Sequence, residues 1–131
     1  MIREITQYIE DNTSFVIGTD LFSVFRPAEA QDDCLVIIPS GGTPNFYLTD
    51  LMFATVHIIS RAGSQNTANE NSQTIYNLLH GRSNYNLPVV NTEELKVGTG
   101  EALNVPQSIG QDGKGLFEYS TNYVLRILDV N

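Results

Sequence analysis

The chain has 131 residues, 41% of them apolar, and carries a formal charge of −8 from seven Lys or Arg against fifteen Asp or Glu; that length suits one domain, residues 1–131, with a core that needs no metal or disulfide staple. Its cations (Arg3, Arg26, Arg61, Arg82, Lys96, Lys114, Arg126) are scattered, which excludes the basic stripe that holds nucleic acid by its phosphates and leaves the acidity as solubility or as a surface to which DNA does not stick. No apolar run approaches the roughly 18 residues of a membrane span, and Met1-Ile2-Arg3-Glu4 does not open a signal peptide.

Ile2, Ile5, Tyr8 and Ile9 recur every three or four residues. They make one face of a short amphipathic helix ending near Asp11-Asn12. Residues 21–26 read as a strand stopped by Pro27, and residues 28–33 as a polar connection with three acids. Cys34-Leu35-Val36-Ile37-Ile38 opens a strand over residues 34–40 that is apolar at successive positions, so both faces are covered. Cys34 has no second cysteine to pair with and reads as a buried, inert thiol. Ser40-Gly41-Gly42-Thr43-Pro44 reads as a turn that folds the sheet back, and residues 51–60, with His57 inside, as the third strand of a meander.

The period then changes. Ala68, Ser72, Ile75, Tyr76 and Leu79 trace one face of a helix over residues 67–80, with Gly81 as its stop. Thr67 and Glu70 have capping-box spacing, and Ser64 or Asn66 is equally placed as the cap. Residues 82–100 read as a long loop with a brief strand at 87–90. Residues 102–109 read as a strand that Pro106 confines to an edge or a bulge. Residues 110–115 are a hairpin turn. Residues 116–128 form a last strand, bent or bulged for its length, with Phe117, Tyr119, Thr121, Tyr123 and Leu125 on one face. The expected fold is α+β: a mixed, mainly antiparallel sheet of about five strands with two helices packed on one face, in the order α-β-β-β-α-β-β.

No catalytic, cofactor or metal constellation emerges. His57 sits within a strand and His80 at a helix end, where an imidazolium suits the dipole; two isolated histidines do not make a metal site. Ser40-Gly41-Gly42 lacks the Lys-Ser/Thr and helix of a phosphate loop. The loop at residues 110–115 has Asp112 but not the repeated acids of a calcium loop. Asp32-Asp33 and Glu93-Glu94 are adjacent acids in polar segments, read as solvated charge. Recognition is therefore expected on loops held by the scaffold, at Glu93, Glu94, Leu95 and Lys96 and at the hairpin tip, Gln111, Asp112 and Lys114. Leu95 and Val97 are the only large apolar residues of 91–99, so a deletion there is expected to leave the fold intact.

Several segments taken together resemble phage tail terminator and minor capsid proteins. They are the N-terminal helix; Cys34-Leu35-Val36-Ile37-Ile38 running into Ser40-Gly41-Gly42-Thr43-Pro44; Phe53 to Arg61; Ile75-Tyr76-Asn77-Leu78-Leu79; and Val105-Pro106-Gln107-Ser108-Ile109-Gly110-Gln111-Asp112-Gly113-Lys114-Gly115 followed by Phe117-Glu118-Tyr119-Ser120-Thr121-Asn122-Tyr123. The resemblance implies a structural virion protein at the head-proximal end of the tail, assembled in the host cytoplasm. It implies a homohexameric ring on the tail tube protein that stops tube growth and meets a head-completion or stopper protein. DNA would pass through without specific binding; no membrane, cofactor or catalytic residue is implied. Given the chain's acidity, Glu93, Glu94 and Glu101, which lie in or beside the long loop, are the candidates to line such a bore. Two alternatives stay open: another neck protein, such as a connector or stopper, and a small oligomeric ligand-binding or enzymatic domain. A six-fold ring, a twelve-fold ring and a small dimer would tell them apart.

Overall fold

The computed structural model describes residues 1–44, 51–90, 92 and 94–129. The apolar repeat near the start becomes helix α1 (Ile2–Asn12), which buries Ile5, Tyr8 and Ile9. Its last carbonyls are closed by side chains: Asn12 Nδ2 donates to the Tyr8 carbonyl at 2.8 Å and Thr13 Oγ1 to that of Ile9 at 2.7 Å. Helix α2 (Gln65–Leu79) starts at Ser64, whose Oγ accepts from the Thr67 amide at 3.1 Å. It buries Ala68, Ser72, Ile75, Leu78 and Leu79 and stops before Gly81, at φ 75° in the left-handed region.

Seven strands follow from the rest: β1 (Leu21–Ser23), β2 (Cys34–Pro44), β3 (Leu51–Ala62), β4 (Ser83–Asn86), β5 (Leu95–Ala102), β6 (Gln107–Gln111) and β7 (Phe117–Asp129). Their order in the sheet is β1-β2-β3-β7-β5-β4, and β6 also pairs with β7. β1 runs parallel to β2, and every other pairing is antiparallel. β3 and β7 form the spine, in unbroken register from Leu51 opposite Leu128 to Ala62 opposite Phe117. Period-two alternation sends Ala54, Val56 and Ile58 of β3 and Tyr123, Leu125 and Ile127 of β7 into one core with Ile5, Ile9, Ile75 and Leu79. Two buried hydroxyls tie α2 to that face: Ser60 Oγ donates to the Ala68 carbonyl at 2.9 Å, and Ser72 lies 3.3 Å from Thr121 Oγ1. On the other face Phe53, Thr55, His57, Ile59 and Val124 are only half-buried.

The five-strand expectation is corrected: the sheet has seven strands, and the order is α-β-β-β-α-β-β-β-β. The two extra strands, β4 and most of β5, lie in what the sequence presents as a loop at 82–100. Leu95 and Val97 face the core at 4% and 0% exposure, but Gly98, Thr99 and Gly100 interrupt the alternation that would announce them. The brief strand expected at 87–90 lies instead at β4. The strand expected at 102–109 is divided, because β5 ends at Ala102, β6 begins at Gln107, and Pro106, with no amide proton to give a ladder, stands between them. Ser40–Pro44 is not a turn. β2 continues through it with a register shift between Pro39 and Gly42, which Gly41 accommodates at φ 88°. The meander is also corrected at its start, since β1 pairs with β2 in parallel.

Candidate interaction surfaces

The sequence-predicted interface residues fall into two sets that the fold keeps apart. Lys96 pairs with Leu128 near the end of β7, whereas Gln111 pairs with Phe117 at its beginning. From Phe117 to Leu128 along β7 the two sets stand about 36 Å apart. Glu94 is exposed beside β5 and Lys96 is half-buried, but the Leu95 side chain is in the core. Glu93 lies outside the described residues. At the other end Gln111 and Lys114 are exposed, and Gln111 Nε2 donates to the Gly115 carbonyl at 3.1 Å.

Asp112 holds its own hairpin closed. Its Oδ1 accepts from the amides of Leu116 at 3.0 Å and Lys114 at 2.9 Å, and its Oδ2 lies 3.6 Å from Arg61 Nη1. The Leu116 amide above all, then Lys114 and the arginines, hold its carboxyl below the usual range. Arg61 is itself buried, and it donates to the carbonyls of Asp32 at 3.2 Å and Gln31 at 2.9 Å, so it ties residues 31–32 to the end of β3. Arg26, Arg61 and Lys114 line an open cleft of about 350 Å³, and Arg26 reaches Glu118 at 3.6 Å. Beneath it Cys34 is fully buried, and burial pushes its thiol up, against the pull of the two arginines. His57 Nε2 contacts Ser120 Oγ across the sheet. His80 stacks on Tyr76, and its Nδ1 accepts from the Ala102 amide at 3.0 Å. Among the described residues no three His, Cys, Asp or Glu gather where they could hold a metal ion, and no helix is long and apolar enough to cross a membrane.

What the sequence reading missed is a pair of apolar sheet margins. β6 pairs only with β7, and all five of its residues are exposed. With the residues leading into it, β6 displays Leu103, Val105 and Ile109 to solvent, Val105 at 66%. On the β1 side Val16, Ile17, Val24 and Phe25 are exposed, Phe25 at 69%. A three-residue turn makes Phe25 stand out: its amide donates back to the Ser23 carbonyl at 2.9 Å, with Val24 at φ 75°, costly for a β-branched residue. The available signal was apolar residues in turn-rich sequence, Phe25 before Pro27 and Val105 before Pro106.

A family model described as bacteriophage tail terminator protein matches residues 8–129 of the chain. No curated protein matches it.

Proposed function

The chain belongs to the bacteriophage tail terminator family, and from that premise we propose that six copies close a ring on the last ring of the tail tube. Its role is structural, in the phage tail, and it is a virion component. The proposed ring stops tube growth at the head-proximal end and offers the surface on which the head-completion or stopper protein joins. DNA passes through its bore without specific binding, past acids that include Glu93, Glu94 and Glu101.

The observation that carries this is the extent of the family match, 8–129 in a chain of 131 residues. Closed cyclic symmetry asks each subunit for two different surface patches, and the two apolar margins supply candidates. The test is electron microscopy of purified tails. Six-fold density at the head-proximal end that is lost with the gene, together with tubes of uncontrolled length in its absence, is the expected result. Tails that lack such density, or that keep their length without the protein, overturn the proposal.

A further inference from the structure

We infer that the β6 margin of one copy seats on the β1-side margin of the next, so that the ring contact joins opposite edges of one band of the sheet. The inference rests on the ring reading and specifies its interface. Hydrogen-bonded partners place the two margins on a single row: Leu21 is opposite Leu35, Leu35 opposite Ser60, Ser60 opposite Tyr119, and Tyr119 opposite Ser108. Four steps between strands put them about 19 Å apart. One end of that row presents Leu103, Val105 and Ile109, and the other Val16, Ile17 and Phe25, all exposed.

Charge names the occupant as a second copy. Each copy carries −8, so copies repel except where their charges are absent or engaged. Residues 102–111 and 12–19 contain no charged side chain. The acids that flank the second strip are engaged by its backbone: Asp20 Oδ1 accepts from the Val16 amide at 2.6 Å, and Glu10 Oε2 from that of Ile17 at 2.7 Å. A patch that met its own copy would end in a dimer, whereas two different patches on opposite edges propagate until the rotation closes. The β4 margin offers Ser83, Asn84 and Asn86, with Tyr85 half-buried; the apolar residue beside it, Val89, is 60% exposed but shares its pocket with Glu94, so a second copy would meet an acid there.

The test is chemical trapping on assembled tails. A Phe25→Cys, Ile109→Cys double variant is treated with a short bismaleimide; Cys34, at 0% exposure, stays silent. The expected product is a covalent ladder that passes the dimer and ends at the mass of the closed ring, with no dimers from either single variant. Dimers from a single variant, or no ladder from a double variant whose ring is seen on the tail, overturn the inference and leave the ring standing. A tail without a ring of wild-type protein removes the ring reading itself. As a second arm, Ile109→Asp and Phe25→Asp each weaken ring assembly roughly tenfold or more while circular dichroism stays unchanged. Mixed together, they pair one to one, because each supplies the margin the other has lost. Rings that assemble normally from either folded variant refute the contact.

Discussion

Position 100 shows how tightly a single residue can be specified. A methyl group on Gly100 would meet Leu125 Cδ2 at 2.8 Å and the Leu79 carbonyl at 2.9 Å, and the carbonyl belongs to the end of α2 and cannot swing aside. The same glycine exchanges backbone hydrogen bonds with Gly81 and Arg82, at 2.9 and 3.0 Å, and so docks the helix end on β5. Gly100→Ala is expected to lower stability by about 1–3 kcal/mol, read as a shift of the urea midpoint. Gly98→Ala, whose new methyl group would lie 3.7 Å from the Arg126 carbonyl, should move the midpoint far less. A second residue-scale prediction concerns Tyr85. It stacks on Tyr8 with ring centroids 4.7 Å apart, and its hydroxyl is buried with no partner among the described residues. Burial pushes its pKa up to about 12, against the pull of Arg82. A pKa raised on folding gives stability that is complete below the ordinary value of 10.0 and fades as pH climbs toward 12. Tyr85→Phe should therefore flatten the alkaline loss of stability and cost little near neutrality. An equally steep loss in the variant would mean that other groups carry it.

At the scale of elements, legibility followed periodicity. Both helices and the spine strands β3 and β7 repeat their apolar residues at the period of their structure, and their bounds lie within two residues of those expected from sequence. β5 escaped because a strand under a helix end must be thin there: Gly100 gives the backbone its close approach, and together with Gly98 it erases the alternating pattern. β2 was cut short because Pro39 and Gly41-Gly42 signal a turn in isolation, and only pairing with β3 carries the chain through them as a bulge. The candidate surface was legible in part. The hairpin tip was placed correctly as a turn, but neither Asp112's service to its own backbone nor the apolar margins can be seen before the sheet is assembled. One expectation reverses. Leu95 and Val97 belong to the core, so deletion within 91–99 is now expected to unfold the chain, and Leu95→Ala alone to cost about 2–4 kcal/mol. Thermal melts decide: a deletion variant that melts cooperatively near the wild-type temperature would return the segment to the loops.

At the scale of the whole molecule the question is where the charge goes. In the proposed ring, six copies at −8 each would carry about −48 before counterions. If the apolar margins meet between subunits, this charge is left to the remaining surfaces, and the bore proposed for DNA is where it would do the most. Glu94 and Glu101 are exposed on either end of β5, about 23 Å apart along the strand, so they can mark an acidic strip that follows β5 and not a single point. Repelled phosphates do not dwell, because the counterion release that drives binding to cationic surfaces is absent. Reversing Glu93, Glu94 and Glu101 to Lys raises each copy only to about −2, so general attraction to DNA stays weak and any gain must be local. The reversed ring should retain duplex DNA at low salt and release it as salt rises, while the wild-type ring retains none. Equal retention by the two rings would place these acids outside the bore, and retention that ignored salt would show that the binding was not to phosphate.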